Sequence, residues 1–532
     1  MTISTNKVPE TLGSLLFESA NNWGENLALV LHERDKSEWT YQELCDNSTR
    51  VASYLTTRGV RKGDRVIIWG DNRPEWVAAF FGSVLIGAIV VPLDAQSTSE
   101  FFSLIKHETE SSFMFLGSEQ LSRTEDHTLE TMLFDDLQSL IQPLECTREI
   151  SDFELISPED IAELVFTSGT TGRPKGVILT HGNICSNVEM AGSAFDVTPS
   201  NRVLAILPLS HMFEQIADLL VPLSGGALIV YISTLRPDVI FGAMSRYGVT
   251  NMGCVPRVLE LFADGIKREA RLQGKLGLLE RIHSIACKLP FGWRSKLFKD
   301  IHQHLGGSFK YFVVGGARLD PLLGSWWEGL GVKVVQGYGM TEASPVVASG
   351  TLSDRDHSSV GRPLPGVDVI IADDEEILVR GPNVTAGYWR NDTATLNAFR
   401  DGWYMTRDLG YFDSEGRLHI RGRKDNMFVL ANGMNVYPED IEQVLHEDPR
   451  LTDAVVLGLE SRGDMEVHGV VLTNDNELVP DIIRTANQKL ASHQRIVRYT
   501  AWPDATFPMT PTMKPKRTEI LSKILEMGSH GY

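Results

Sequence analysis

Two kinds of apolar patterning alternate along the first half of the chain. Short runs rich in β-branched and aromatic residues, at 65–69, 88–93, 161–166, 177–179, 203–207 and 226–231, read as buried strands. Stretches at 43–58, 74–86 and 183–194 carry apolar residues at helical spacing and read as helices. Pro74 sits near the start of one, where a missing N–H costs nothing. Strand and helix in turn predict α/β layering, with helices packed on a largely parallel sheet. The run WVAAFFGSVLIGAIVVPL, 76–93, is uncharged for 18 residues, at the lower edge of a membrane span. Gly82, Gly87 and Pro92 interrupt it and the alternation continues on both sides, so a buried helix to about residue 86 and a buried strand from 88 are expected.

From about residue 366 the pattern shortens. VDVIIADDEEILVRGPNV and GYFDSEGRLHIRGRKDN alternate as short strands, with Asp413-Ser414-Glu415-Gly416 as a hairpin turn. Beyond Arg423 a small α+β unit follows, with helices near 438–446 and 480–490. The short polar stretch 422–426 is taken as the boundary, which gives domains 1–422 and 423–532.

The stretch 266–310 stands apart, with ten Lys or Arg against three acidic residues and Leu272, Leu276, Leu279, Ile282, Ile285 and Leu289 at helical spacing. Two readings are open: the solvated face of two surface helices, or a basic amphipathic surface that touches anionic lipid. In the second, Arg271, Lys275, Arg281, Lys288, Arg294, Lys296 and Lys299 form the cationic face, and Leu289, Phe291 and Trp293 a shallow apolar anchor.

A length of 532 residues is too great for one ordinary core, so roughly two to four domains or subdomains are expected. The net charge of −19 argues against a general nucleic-acid binder, which needs clustered cations, and fits a dispersed cytoplasmic protein. The 5 cysteines include no close pair, which points away from a disulfide framework or a structural zinc site. The opening MTISTNKVPETLGSLL lacks a basic segment ahead of an apolar one, so no secretory signal is expected.

The chemistry concentrates in FTSGTTGRPKGVILTHGN, 166–183. Gly169 and Gly172 free the backbone to turn N–H groups inward, Thr167, Ser168, Thr170 and Thr171 can donate from side chains, and Lys175 adds a point charge. An anion cradle and a plain polar turn both fit that composition. A Walker A loop does not, because Pro174 precedes Lys175 and a strand follows Gly176.

As a string, TSGTTGRPKG closely resembles the signature loop of the adenylate-forming superfamily: acyl-CoA synthetases, peptide-synthetase adenylation domains and luciferases. Further blocks resemble that family in the expected order: GGARL, 315–319, at the adenine pocket; QGYGMTE, 336–342, at adenine and magnesium; YMTRDLG, 404–410; GRKDNMFVLANGMNVYPEDIE at the hinge; and TPTMKPKR, 510–517, at the terminal lysine. The resemblance runs from about residue 41 to 517. Arg407 stands where the family block usually has Gly, and Met513 where many relatives have Gly. The terminal lysine is Lys514 or Lys516; Lys514, three before Arg517, fits the family's Lys-x-x-Arg spacing. LPLSHMFE, 207–214, resembles the long-chain fatty acid–CoA ligase branch.

The resemblance implies an α/β protein: a large N-terminal domain of layered α/β subdomains, and a small α+β C-terminal domain that swings on Asp425. It implies that Thr167, Ser168, Gly169, Thr170, Thr171, Gly172 and Lys175 grip the ATP phosphates. Gly315, Gly316, Ala317, Gln336, Gly337, Tyr338, Gly339 and Thr341 line the adenine pocket. Tyr338 between two glycines can lie flat against a purine. Glu342, with Thr170, would hold Mg²⁺, which takes one or two carboxylates beside phosphate oxygens. Asp408, an acceptor-only side chain, suits the ribose hydroxyls, and Arg423 can reach ribose or phosphate. Lys175, Glu342 and Lys514 are the implied catalytic set, with His211 at the carboxylate entrance or, alternatively, a buried structural histidine. Lys514 would bind the forming acyl-adenylate, and Gly433 would border the CoA tunnel. The implied substrates are ATP, a long-chain fatty acid and coenzyme A. A carrier-protein acceptor, or a silent nucleotide- or lipid-binding relative, is the alternative. A basic face at 266–310 would add peripheral contact with the inner face of a membrane.

Overall fold

The computed structural model describes residues 9–32, 37–124, 128–146, 149, 151, 153, 156–167, 174–430, 434–461, 464–510 and 514–529. The chain divides into two compact units, Met1–Asp368 with Val379–Tyr404, and Val369–Leu378 with Met405–Tyr532.

The first unit is built on two sheets. A six-stranded sheet is ordered Glu130–Leu133, Phe113–Leu116, Arg65–Trp69, Ile89–Leu93, Ile161–Thr167, Lys175–Thr180, parallel except for the last pair. A nine-stranded sheet has a parallel centre, in which Leu27–Leu31, Leu228–Tyr231, Arg202–Ala205, Asn251–Cys254, Tyr311–Val314 and Lys333–Gly339 lie side by side. Antiparallel strands extend both of its edges. The central strands are apolar without alternation because layers cover both faces; Ile89–Leu93 is buried at every residue.

The uncharged run resolves as expected, into the helix Pro74–Leu85 and the strand Ile89–Leu93. Gly82 is there for contact: a Cβ on it would lie 2.4 Å from Val51 Cγ1 of the helix Tyr41–Thr57. Among the described residues no helix is long and apolar enough to cross a membrane.

Two elements differ from the pattern reading. The helix expected at 183–194 runs His181–Gly192, because Thr180 caps it: its hydroxyl accepts from Asn183 N–H, and Asn183 returns a side-chain bond to Thr180 N–H. The basic stretch belongs to four helices rather than two: Pro256–Leu272, Leu276–Ala286, Phe291–Leu297 and Lys299–His304. Left-handed Gly274, Pro290 and Phe298 separate them. Arg271, Lys275, Arg281, Lys288, Lys296 and Lys299 are exposed, as are Leu272, Leu278, Ile285 and Trp293. Arg294 instead turns inward and donates to Leu289 O and Glu328 O, both at 3.1 Å. Phe291 lies among the cations Arg294, Lys333 and Arg355, at 5.5, 5.8 and 5.5 Å from its ring centre. Those two residues therefore fasten the helix and leave Trp293 as the exposed aromatic.

In the second unit the sheet Leu451–Ser461, Asp464–Thr473, Arg498–Ala501 carries helices on both faces. Ala454 and Val456 face the cluster made with Pro438–His446 and Val479–Lys489. Val455 and Leu457 face the cluster with Trp502, Ile520 and Ile524. This is the two-residue period of a strand buried on both sides. The hairpin turn at Asp413–Gly416 is as read: Asp413 Oδ1 accepts from Glu415 and Arg417 N–H at 2.9 Å each.

Candidate active site

At one end of the nine-stranded sheet the strands Asn251–Cys254 and Tyr311–Val314 stop side by side, level with Gln336 of Lys333–Gly339, which runs on to Gly339. The chain leaving them supplies Gly315, Gly316 and Ala317 from one strand and Gln336, Gly337, Tyr338 and Gly339 from its neighbour. Carboxyl ends of parallel strands are where open α/β sheets bind ligands. Gly315 N–H donates to Cys254 O at 3.2 Å and anchors the first loop. Gln336 is buried, and its Oε1 has no hydrogen-bond partner among the described residues. Gly339 cannot be replaced without moving backbone, since a Cβ would fall 1.9 Å from Pro345 O.

The next turn, Thr341–Ala343, is pinned by two fully buried amides. Asn383 Nδ2 donates to Ala343 O at 2.7 Å and Val346 O at 3.1 Å. Asn187 Nδ2 donates to Val346 O at 2.8 Å, and its Oδ1 accepts from Val346 N–H at 3.2 Å. Thr385 N–H donates to Glu342 O at 2.8 Å. With its backbone fixed, the Glu342 carboxylate accepts from the Tyr388 hydroxyl at 2.9 Å, and the Tyr388 and Tyr404 hydroxyls lie 3.2 Å apart. Burial, then the Glu342 charge, raises both phenols well above their ordinary range, so they stay donors.

Lys175 opens the strand Lys175–Thr180 opposite Thr167, and its Nζ lies 5.3 Å from the centre of the Tyr388 ring. Tyr388 is placed by backbone pairing along that strand: Ile178 N–H donates to Gly387 O at 3.0 Å, and Trp389 N–H to Gly176 O at 2.7 Å. Lys175, Tyr388, Glu342 and Tyr404 thus form one cluster. Tyr388 and the amides Asn187 and Asn383 were absent from the sequence reading; the glycine-aromatic string Gly387-Tyr388-Trp389 was the available signal. Ser168, Gly169, Thr170, Thr171 and Gly172 lie outside the described residues.

His211 precedes the short helix Met212–Glu214, with Nε2 3.6 Å from Asp94 Oδ2. Burial raises the Asp94 carboxyl, but the nearby His211 and the Gln96 N–H, which donates to Oδ1 at 2.7 Å, outweigh it and hold it below the usual range. Asn72 fixes the approach to His211, donating to Leu207 O at 2.6 Å and accepting from Leu209 N–H at 2.8 Å.

In the second unit Asp408 pairs across the hairpin with Arg423, their side chains 3.7 Å apart. Arg423 also reaches Asp425 at 3.6 Å, and Arg407 Nε donates to Asp425 Oδ1 at 2.7 Å. Arg407 sits at φ 61°, a left-handed backbone that accounts for the usual glycine there. Lys514 is exposed as a residue, yet its ammonium is partly desolvated, which lowers its pKa; Asp408 opposes the shift and Arg423 adds to it. Lys516 instead pairs with Glu519 at 2.8 Å. Gly433 and Met513 lie outside the described residues.

The model of a family described as AMP-binding enzyme matches residues 16–389. Long-chain-fatty-acid–CoA ligase FadD15 of Mycobacterium bovis is 29% identical over 94% of this chain and 96% of its own. Feruloyl-CoA synthase of an Amycolatopsis species is 30% identical over 79% of this chain and 80% of its own. Among solved structures, the o-succinylbenzoate CoA synthetase of Bacillus subtilis with its acyl-adenylate intermediate has a TM-score of 0.78 at 25% identity, covering 95% of this chain and 97% of that one. The matched span takes in Lys175, Glu342 and Tyr388, and on it the chain belongs to the AMP-binding enzyme family.

Proposed function

We propose that the protein is a long-chain fatty acid–CoA ligase that forms an acyl-adenylate. The observation that carries this is the cluster of Lys175, Tyr388 and Glu342 beside the loops of Gly315 and Gln336. One substrate carboxylate oxygen attacks the α-phosphorus of ATP, the bond to the β-phosphate breaks, and pyrophosphate leaves. Lys175 and the donors of the 167–172 loop balance the leaving charge. Glu342 offers an oxygen fixed by Tyr388, which fits Mg²⁺; with Thr170 it would hold the ion, whose charge offsets that of the phosphates. Gln336 Oε1 offers the adenine amino group an acceptor. Asp408 and Arg423 take the ribose and phosphate, and Lys514 bridges the two anions as they meet.

Thiolation follows at the same site. The CoA sulfur attacks the acyl carbon, AMP departs, and the thiol proton passes to solvent. In this reading residues 423–532 swing about Asp425, withdraw Lys514 and bring Gly433 to the thiol path. The relatives' names share CoA ligation and differ in the acid, so acyl length rests on the likeness of LPLSHMFE to the long-chain branch. A panel of carboxylates with ATP and CoA, scored by pyrophosphate release and thioester mass, tests it. Preference for aromatic or short acids would overturn the long-chain assignment, and turnover only with a carrier protein would replace CoA.

The exposed cations of 271–299 with Leu272, Ile285 and Trp293 support loading from an anionic bilayer, each cation contributing about 1 kcal/mol at such a surface. Lys288, Lys296 and Lys299 reversed to Glu should reduce co-sedimentation with anionic vesicles and slow use of vesicle-borne acid, with turnover of a soluble medium-chain acid spared. Unchanged sedimentation would leave a plain solvated face.

A further inference from the structure

Beyond His211 the chain carries a second constellation in the first unit, outside the crevice. Gln215–Leu220 form a π-helix, a wide turn that is frequent at functional sites. Glu214 and Asp218 are 0% and 1% exposed. Asp218 is satisfied: Gly253 N–H lies 3.1 Å from each of its carboxylate oxygens. Glu214 faces Asp218 with the Leu207 N–H near its carboxyl, and neither of its oxygens is paired by a close hydrogen bond among the described residues.

The groups around the pair are neutral. Tyr231, Cys254 and Tyr311 face it from three strands of the nine-stranded sheet. On the other side Gln215 Nε2 donates to Glu163 Oε1 of the six-stranded sheet and to Leu209 O, both at 2.9 Å. No Lys, Arg or His among the described residues pairs with either carboxyl. Two touching carboxylates cannot both stay ionised in an interior without a cation.

We propose that Glu214 and Asp218 form a one-proton pair, in which neutral Glu214 donates its O–H to ionised Asp218, and that this bond positions the π-helix against the strand Asn251–Cys254. The consequence reaches the site at three points. His211, just before the π-helix, faces Asp94. The Phe213 ring lies against Gly315, 3.2 Å from where a Cβ would stand. Cys254, next to the Gly253 that Asp218 holds, accepts the Gly315 N–H. Glu214 is thus a positioning residue; its effect on turnover rests on the reading of the crevice as an ATP site, whereas the pair itself does not.

Burial, then the Asp218 charge, raises Glu214 well above the carboxylate range, and burial raises Asp218 as well, against the bonds from Glu214 and the Gly253 N–H. In the unfolded chain both titrate near the ordinary carboxylate pKa, so above that pH folding takes up a proton. Stability from a raised folded pKa is complete below the unfolded value and is lost as pH rises through the folded one. One such proton makes a tenfold change in the folding equilibrium per pH unit. Glu214→Gln keeps an N–H donor for Asp218 and has no proton to lose.

The test compares the full-length protein with Glu214→Gln and Glu214→Ala, by urea midpoint and by pyrophosphate release, from about pH 6 to 9. Glu214→Gln should turn over within about twofold of wild type at the acid end, and should hold stability and activity at alkaline pH where wild type loses both. Glu214→Ala should lose about tenfold or more in turnover throughout. A Gln variant that declines with pH in parallel with wild type would overturn the pair and pass the titration to Glu163, which burial raises to about 8. A Gln variant as damaged as the Ala variant would overturn it too. If wild type releases no pyrophosphate with any acid, the ATP reading has failed, and the urea midpoints alone still decide the proton pair.

Discussion

Around Glu342 the backbone is pinned by neutral groups in the interior, the amides of Asn187 and Asn383, both donating through Nδ2, and the N–H of Thr385. Around Asp408 the polar side chains hold one another as ions whose cations reach solvent: Arg407 with Asp425, Arg423 with Asp408 and Asp425, and Lys424 with Asp374 at 2.7 Å. The means of attachment differ in what they permit. A buried amide clamp is indifferent to salt and costs a good deal to break, because its partners stay dry and unpaired. Half-exposed ion pairs contribute about 0–1 kcal/mol each and change partners readily. The first region is built as a fixed floor. The second is free to re-pair, which is what the proposed function asks of it.

The largest effect should come from the second region. On the proposed function, in which the Lys514 charge serves only while two anions meet, Lys514→Ala should slow acyl-adenylate formation by about 10²–10³ and leave thioester formation from supplied acyl-AMP nearly intact. Single-turnover assays of each half-reaction decide it. Normal adenylation would move the role to Lys516, against its pairing with Glu519. Asp425→Pro should give the reverse pattern. Proline fixes φ near about −65°, so a hinge that needs two backbone states keeps one, and thiolation falls while adenylation persists. Equal loss of both half-reactions would point to misfolding or a misplaced hinge.

In the fixed floor, Asn383→Ala removes the close bond to Ala343 O and leaves Val346 O with Asn187 as its donor. A loss of about 1–3 kcal/mol in stability is expected, insensitive to salt, together with weaker binding of a non-hydrolysable ATP analogue. A variant that keeps both stability and affinity would show that Asn187 alone suffices to hold the Glu342 turn.

What could be read in advance follows the range of the interactions concerned. The strands, the hairpin turn and the helix Pro74–Leu85 obey local periodicity, and the sequence shows them nearly to the residue. The cap at Thr180 is also local, but Asn183 completes the box in place of the usual Glu or Gln, so the pattern alone places the helix start late. Tyr388 escaped because its place depends on pairing with 176–178, far away in the chain. The Glu214–Asp218 contact escaped for another reason: it lies in a wide turn that an α-periodic reading does not anticipate. Arg407 stood out at once, but only the backbone angle says why most relatives would have glycine there.

Arg407 also gives the smallest and most discriminating test of the contrast. Its left-handed φ of 61° costs a side chain about 1–2 kcal/mol, and glycine would recover that. Against this, Arg407→Gly removes the bond to Asp425, a pair whose arginine is 53% exposed and whose worth is about 0.2–1 kcal/mol. The two nearly cancel, so stability should change by less than about 1 kcal/mol, and the variant should compare more favourably with wild type as salt rises. Acid should have a related effect. Burial raises the Asp425 carboxyl, but Arg407 and Arg423 outweigh it and hold the pKa below the ordinary value. Stability from a lowered folded pKa is present above the unfolded value and is lost as pH falls through the folded one. Without Arg407 that acid loss should shrink. If the pair must open before residues 423–532 swing, thiolation should also quicken relative to adenylation, by about threefold or less. Urea midpoints at low and high salt, alongside the two half-reaction rates, carry the test. A salt-independent loss above about 2 kcal/mol would mean that the charged strip is as rigid a floor as the amide-clamped one, and the contrast between the two regions would fail.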